Sequence, residues 1–239
     1  NETLLPDVAK TIASFKLPAV WFPYDKMGRS ASGFVWNQTR GKFGPFFEGQ
    51  LFVGDQYQSA VSRVFLETVG GRKQGACFPF RAGLQSGVIR VAWDLEGALL
   101  VGESDRGWGS LGGKTTGLER LVWSGATPFE MREVRAQPNG FEVVFTKPVD
   151  AASAADVSSY RCESYTYLLH ETYGSDEVEK APCAVTAAVV AADGMSVQLT
   201  LENLRAGFVH ELHAQVRATD GEELLHDVAY YSLIVRPQP

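Results

Sequence analysis

The sequence predicts an all-β fold, because short apolar runs alternate with glycine-rich turns along almost the whole chain. Two of these runs are alike: residues 49–55 (GQLFVGD) and residues 97–103 (GALLVGE) lie about 48 positions apart. A repeat of roughly 40–50 residues is typical of the blades of a β-propeller. Closed propellers use roughly four to eight blades, so two repeats predict an incomplete propeller and a chain that is a piece of a longer protein.

Composition divides the chain into two halves. Residues 1–125 hold all five Trp, with 14 Lys or Arg against 11 Asp or Glu, whereas residues 126–239 hold all four His, with eight Lys or Arg against 17 Asp or Glu. The net charge of −6 and the lack of a basic cluster argue against nucleic-acid binding, which needs clustered cations. No apolar run approaches the ~20 residues that cross a bilayer, so we expect no membrane insertion.

The first half is predicted to contain one short helix followed by blade strands. Val8, Ile12 and Phe15 have helical spacing and Pro18 ends the pattern, which predicts a helix within residues 7–15. Glycine-bounded apolar runs then predict strands at 33–36, 50–54, 60–66, 74–80, 88–93, 98–102 and 118–122.

A second domain is predicted to begin near residue 126, where glycine and aromatic density fall and the charge becomes acidic. Residues 1–125 would then be the propeller part and residues 126–239 an immunoglobulin-like β-sandwich. Asn-Gly and Asp-Gly pairs supply hairpin turns, and about seven strands over roughly 110 residues are typical of that sandwich. The predicted strands are 131–136, 141–145, 159–168, 184–191, 196–201, 209–216 and 229–235.

The cysteines and histidines give no diagnostic spacing. Cys77, Cys162 and Cys183 form no CxxC motif and are interpreted as buried thiols, with a Cys162–Cys183 bridge as the alternative if the protein is exported. His210 and His213 lie three apart on a predicted strand and so point to opposite faces. The sequence therefore predicts no metal site.

Residues 18–123 resemble the last blades of the glucose/sorbosone dehydrogenase family. The resemblance lies in Ser32 to Trp36, Phe47 to Gly54, Arg63 to Leu66 and Val91 to Val101. Residues 75–80 (GACFPF) and 105–110 (DRGWGS) are more specifically similar to a bacterial branch of large secreted proteins, in which such a propeller precedes a β-sandwich. Residues 141–150 and 196–201 of the second half resemble bacterial immunoglobulin-like modules.

This resemblance implies a six-bladed propeller in a secreted or periplasmic protein. Soluble members of the family oxidise sugars with pyrroloquinoline quinone and calcium, and they hold the quinone with a Lys and two Arg. Here the Lys position falls near Gln56 and Tyr57, the Arg region contains only Arg90, and residues 1–125 contain no His to act as the base. We therefore expect no cofactor in this chain, although the quinone and calcium remain possible in a full-length relative.

Candidate ligand-binding residues cluster after the second repeat. Glu103, Asp105, Arg106 and Trp108 supply acids, a cation and an indole, a combination that stacks on sugar rings and binds their hydroxyl groups. The alternative is a blade loop in which Asp105 and Arg106 satisfy each other and the turn backbone, with Trp108 wedged between blades.

Further candidates come from two other places. Tyr57 and Arg90 occupy the regions that hold the cofactor in the related family. Asp25 and Lys26 lie in the aromatic segment 21–27 (WFPYDKM), for which packing between blades is the alternative explanation.

Three functions are compatible with these patterns. The first is a non-catalytic or incomplete C-terminal region of a secreted sugar-dehydrogenase-like protein, which provides a scaffold and contacts to carbohydrate or protein. The second is part of a quinone-dependent sugar or alcohol oxidoreductase that is active only with the missing blades. The third is a carbohydrate-binding or cell-surface interaction protein. Exposed blade faces would favour a protein partner or self-association.

Overall fold

The computed structural model describes residues 3–238 and is an all-β protein, with 46% strand and 8% helix. This confirms the predicted fold class at its coarsest level. The strands form several antiparallel sheets. Neither described helix has the length or the apolar run that crossing a bilayer requires.

The chain forms two compact units, and each contains more than one segment of the sequence. Unit 1 comprises the residues up to Trp21, the segment Leu66–Ala76 and the chain from Pro128 onward. Unit 2 comprises Phe22–Phe65 and Cys77–Thr127. The segments at 1–21 and 66–76, which the sequence analysis assigned to the propeller half, thus belong to the same unit as the acidic half.

Unit 2 contains two antiparallel meanders whose strands follow one another in sequence. The strands of the first, in order, are β2 Ala31–Trp36, β3 Leu51–Asp55, β4 Ala60–Val69 and β5 Arg72–Arg81, of which β4 and β5 continue into unit 1. The strands of the second are β6 Val88–Trp93, β7 Leu99–Ser104 and β8 Thr116–Leu121.

Aromatic side chains fill the core of unit 2. Phe52 packs edge-on against Phe80 and Trp93, with ring centroids 4.9 and 5.4 Å apart. Gly33 lets β2 approach β6 closely, because a Cβ atom at this position would lie 2.8 Å from the carbonyl oxygen of Ile89. The other buried members of this core are Phe43, Phe46, Phe47, Val61, Leu84, Val88, Val91, Leu99 and Val101.

Unit 1 is built around two antiparallel sheets. The first has the order β14 Val185–Val190, β15 Ser196–Leu201, β10 Gly140–Phe145 and β9 Met131–Gln137. The second begins with β13 Val178–Pro182, β11 Tyr160–Thr166, β16 Phe208–Ala214 and β17 Val228–Leu233. Smaller elements are β1 Thr3–Leu4, which pairs with β12 Leu168–Leu169, and the helices α1 Leu5–Thr11 and α2 Ala151–Ala155.

The two sheets of unit 1 pack face to face through aromatic rings. Phe141 on β10 contacts Tyr231 on β17 and His210 on β16, with ring centroids 4.9 and 5.5 Å apart. Phe129 stacks on Phe145 at 5.7 Å. All five side chains are buried, so this aromatic layer forms the core between the sheets.

The tip of the β4–β5 hairpin extends the second sheet of unit 1, because β17 also pairs with β5. Gln74 is fully buried there, and its Oε1 accepts hydrogen bonds from the backbone N–H groups of Ile234 and Val235, at 3.0 and 2.7 Å. Its Nε2 donates to the hydroxyl of Tyr231 at 2.8 Å. That hydroxyl donates in turn to Oε1 of Glu67 at 2.6 Å.

Replacing Gln74 with Ala should lower the free energy of unfolding of unit 1 by about 2–4 kcal/mol, because several buried backbone and side-chain groups lose their partner. The matched control is Lys73→Ala at the exposed neighbouring position, which should change it by less than about 0.5 kcal/mol. Urea unfolding followed by circular dichroism gives both values. Equal stabilities for the two variants would contradict the assigned role of Gln74.

Candidate functional site

The loop that follows β7 is held in shape by its own backbone. Oδ1 of Asp105 accepts a hydrogen bond from the N–H of Gly107 at 2.8 Å, and the N–H of Trp108 donates to the carbonyl of Asp105 at 3.0 Å. Arg106 has a positive φ of 56°, which this tight turn requires. The Asp105 carboxylate therefore serves the turn. Trp108 is 86% exposed and is not wedged between sheets.

Gln56 joins this loop to the turn between β3 and β4. Its Nε2 donates to the carbonyl oxygens of Asp105 and Gly109 at 3.1 and 3.0 Å. The N–H of Leu111 donates to the carbonyl of Tyr57 at 2.8 Å. The structure thus brings Tyr57 close to the Asp105–Trp108 loop, although these two candidates came from different lines of reasoning.

Tyr57 also belongs to a small aromatic and charged cluster with Arg29, a residue that the sequence analysis missed. The guanidinium of Arg29 lies 4.0 Å from the Tyr57 ring centroid and 5.5 Å from that of Tyr24. Its Nη1 is 3.6 Å from the carboxylate of Asp25. Cation–π contacts of this kind hold neighbouring surface segments together, so the cluster has a structural explanation that needs no ligand.

The other two predicted cations lie at the surface. Lys26 is exposed in the turn after Tyr24, and its N–H donates to the carbonyl of Pro23 at 3.2 Å. Arg90 is exposed on β6, where its Nη1 donates to the carbonyl of Ile89 at 2.8 Å. Within residues 3–238, no ion pair or hydrogen bond joins Arg90 to the other candidate residues.

Glu103 is buried rather than displayed in the loop, because it is the last inward-facing residue of β7 after Leu99 and Val101. Only 6% of it is exposed, and its Oε2 accepts a hydrogen bond from the N–H of Ser86 at 2.6 Å. Glu119 on β8 accepts a similar bond from the N–H of Gln85 at 2.9 Å. Burial, together with the neighbouring carboxyl of Glu119, raises the pKa of Glu103 to about 7.

A groove on unit 2 has the features of a ligand site more clearly than the predicted loop. Along 34–40, Phe34, Trp36, Gln38 and Arg40 are exposed, whereas Asn37 and Thr39 are buried. These four exposed side chains form an outward row that lines a groove. The groove has a volume of about 680 Å³, within the 300–1,000 Å³ range of small-molecule sites. The remaining lining residues are Val35, Thr39, Lys42, Trp93, Asp94, Leu95 and Gly97.

The inward residues keep this groove rigid. Asn37 donates from Nδ2 to the carbonyl of Phe47 at 3.0 Å, and its Oδ1 accepts from the hydroxyl of Thr39 at 2.9 Å. On the opposite side, Nε1 of Trp93 donates to the carbonyl of Trp36 at 2.7 Å. Lys42 donates from Nζ to the carbonyl of Leu95 at 2.8 Å. The exposed rings of Phe34 and Trp36 therefore project from a backbone that is fixed on both sides.

The polar rim of the groove contains one acid that is hydrogen-bonded within the protein and two donor side chains that are not. Asp94 accepts hydrogen bonds from the N–H groups of Glu96 and Ala98 and from Nε of Arg120, so it serves the β6–β7 turn. The side chains of Gln38 and Arg40 are exposed and make no hydrogen bond or ion pair with the part of the chain that the structure describes. They are free to donate to a ligand.

Two of the four histidines pair with acids, and the four do not converge on one site. Nδ1 of His226 lies 2.8 Å from Oε1 of Glu130, and Nε2 of His213 lies 3.1 Å from Oε1 of Glu211. In residues 3–238, no group of three or more His, Cys, Asp or Glu side chains is arranged to hold a metal ion.

Comparisons with known proteins place the chain in no family. No protein-family model and no curated protein matches the sequence. Among solved structures, domains 1–6 of the surface-layer protein SbsC match with 20% identity and a TM-score of 0.34, over 46% of this chain and 14% of that chain. A protein described as a candidate gluconolactonase matches with 12% identity and a TM-score of 0.22, over 87% of this chain and 76% of that chain. Such scores do not establish a shared fold.

Glu103 should make stability fall as the pH rises. Its folded-state pKa of about 7 exceeds that of an unfolded Glu, so its contribution is fully present below about pH 4.5 and is lost as the pH rises through 7. Thermal unfolding of wild type and Glu103→Gln between about pH 5 and pH 8 should show the wild type losing stability relative to the variant. Glu171→Gln at an exposed site is the control. A stability difference between wild type and Glu103→Gln that does not change with pH would contradict this prediction.

Proposed function

We propose that unit 2 binds carbohydrate in the groove formed by Phe34, Trp36, Gln38 and Arg40, and that it does so as a non-catalytic module. The single observation that carries this proposal is the outward row itself. Phe34 is 66% and Trp36 42% exposed on a strand whose inward neighbours are anchored in the core. Aromatic faces stack on the apolar faces of sugar rings, while amide and guanidinium groups donate to hydroxyl groups.

The chemistry of the rim favours a neutral polyhydroxylated ligand over an anion or an apolar one. The negative charge of Glu48 lies close to Arg40, because its two carboxylate oxygens accept hydrogen bonds from the backbone N–H groups of Arg40 and Gly41 at 3.2 and 3.1 Å. Lys42 is directed to the carbonyl of Leu95 rather than to the groove centre. The groove is also open to solvent, which suits part of a long polysaccharide chain.

We also propose that the two units are propeller blades and an immunoglobulin-like sandwich. The four-stranded and three-stranded meanders of unit 2 support the first assignment, since blades are antiparallel meanders. In unit 1 the order β9-β10-β15-β14 corresponds to strands A-B-E-D of an immunoglobulin-like domain, and β13-β11-β16-β17 to C′-C-F-G. This correspondence supports the second assignment.

In this proposal, the chain is a binding and scaffolding part of a secreted or periplasmic sugar-dehydrogenase-like protein. All four histidines belong to unit 1, so unit 2 offers no imidazole as a base for sugar oxidation. A quinone-dependent oxidoreductase that needs further blades is the alternative role.

Affinity electrophoresis in gels containing laminarin, xylan, xyloglucan or galactomannan tests the binding proposal. At least one polysaccharide should retard the wild-type chain, and Trp36→Ala should weaken that binding by about tenfold or more, which is about 1.4 kcal/mol. Trp36→Phe should retain most of the binding, because it keeps an aromatic face.

The matched control is Trp108→Ala, which removes the other strongly exposed tryptophan. Retardation that survives in Trp108→Ala and fails in Trp36→Ala supports the groove. Retardation lost only in Trp108→Ala would move the site to the loop after β7. A wild-type chain that no polysaccharide retards would contradict the carbohydrate proposal.

A further inference from the structure

Two of the three cysteines face each other across neighbouring strands of unit 1. Strands β11 and β13 run antiparallel, with Glu163 opposite Pro182 and Ser164 opposite Ala181. The same register places Cys162 opposite Cys183, and the N–H of Cys183 donates to the carbonyl of Cys162 at 2.9 Å. The two thiols are buried together, with 4% and 1% exposure, and both are free.

This arrangement lies within the reach of a disulfide. Residues directly opposite on antiparallel strands have Cα atoms about 4.5–5.5 Å apart, and disulfides span Cα separations of about 4.4–6.8 Å. Side chains of directly opposite residues lie on the same side of a sheet, so the thiols of Cys162 and Cys183 face each other.

The surroundings of Cys183 favour its thiolate. Its Sγ lies 3.3 Å from Oγ of Ser164, which also accepts a hydrogen bond from Nε of Arg205 at 2.9 Å. The adjacent thiol of Cys162, together with His210 and Ser164, lowers the pKa of Cys183. The adjacent thiol of Cys183, together with burial, raises the pKa of Cys162. Of the two thiols, Cys183 is the one that ionises more readily.

Cys77 provides an internal contrast. It is fully buried in unit 2, and burial raises its pKa, so it lacks the nucleophilic form. Cys183, in comparison, follows β13, which is the edge strand of its sheet and has several exposed residues. Local opening of an edge strand exposes the pair without unfolding the unit.

We propose that Cys162 and Cys183 form a disulfide across β11 and β13 when the protein meets an oxidising thiol–disulfide environment. The thiolate of Cys183 attacks one sulfur of a small external disulfide, which gives a mixed disulfide and releases one external thiolate. Cys162 gives up its proton to that thiolate and attacks Sγ of Cys183, which releases the second external group as a thiolate; this thiolate takes up from solvent the proton that Cys183 had lost on ionising. The two protein thiols are oxidised and the external disulfide is reduced to two thiols.

The disulfide would hold the edge strand β13 against β11 in the second sheet of unit 1. It closes a loop that contains β12, the turn after it and β13, and a covalent link across such a loop restricts the unfolded chain. It also keeps the edge strand from separating from β11, where it would otherwise present unpaired backbone groups. This inference concerns unit 1 and is independent of the carbohydrate-binding proposal for unit 2.

The test equilibrates the native full chain with excess oxidised glutathione and then maps its peptides by mass spectrometry after alkylation without reduction. The expected product is one Cys162–Cys183 disulfide with Cys77 still a free thiol. The oxidised protein should also have a higher Tm than the reduced protein. Three free thiols after equilibration, or a disulfide that involves Cys77, would overturn the proposal.

Single variants test the order of the two steps. In Cys162→Ala the reaction should stop at a glutathione adduct on Cys183, whereas in Cys183→Ala the remaining Cys162 should stay largely unmodified. Cys77→Ala is the matched control and should form the disulfide and show the rise in Tm as the wild type does. Equal glutathione modification of Cys162 and Cys183 in the two single variants would contradict the assignment of Cys183 as the nucleophile. Peptide mapping of the wild type decides the disulfide itself if a variant fails to fold.

Discussion

The structure of unit 1 depends on one buried side chain, Gln74, which lies at the tip of a hairpin far from its partners in sequence. Its amide satisfies the backbone of Ile234 and Val235 and the hydroxyl of Tyr231. Burial and the charge of Glu67 raise the pKa of Tyr231, so the phenol stays protonated and donates to Glu67. Without the hairpin tip, β17 would be the edge of its sheet and these groups would lack partners.

Strong local patterns were sufficient to predict many of the elements. The alternation of apolar and polar residues located β9, β10 and β15 to within one residue at each end. Strand β13 was missed because Glu179, Lys180 and Pro182 give it the composition of a loop, as an edge strand allows. The pairing of β5 with β17 could not be predicted, since a single sequence carries no signal for contacts across about 160 residues.

The candidate site was also predicted only in part. Sequence reasoning selected Asp105 and Trp108 for their residue types, and the structure shows that the first serves a turn while the second is exposed. It placed Glu103 in a solvent loop, although the alternation of Leu99, Val101 and Glu103 would have indicated an inward position. The exposed row from Phe34 to Arg40 continues a period of two beyond the end of β2, and this pattern was the available signal for the groove.

Amide hydrogen exchange of the native chain tests most directly whether the hairpin tip is an integral part of unit 1. If it is, the amides of β5 within Leu66–Ala76 exchange as slowly as those of β17 and open together with them, because they share one cooperative sheet. Fast exchange of the tip amides, beside β16 and β17 amides that stay protected, would show that unit 1 is complete without the hairpin and would contradict this account.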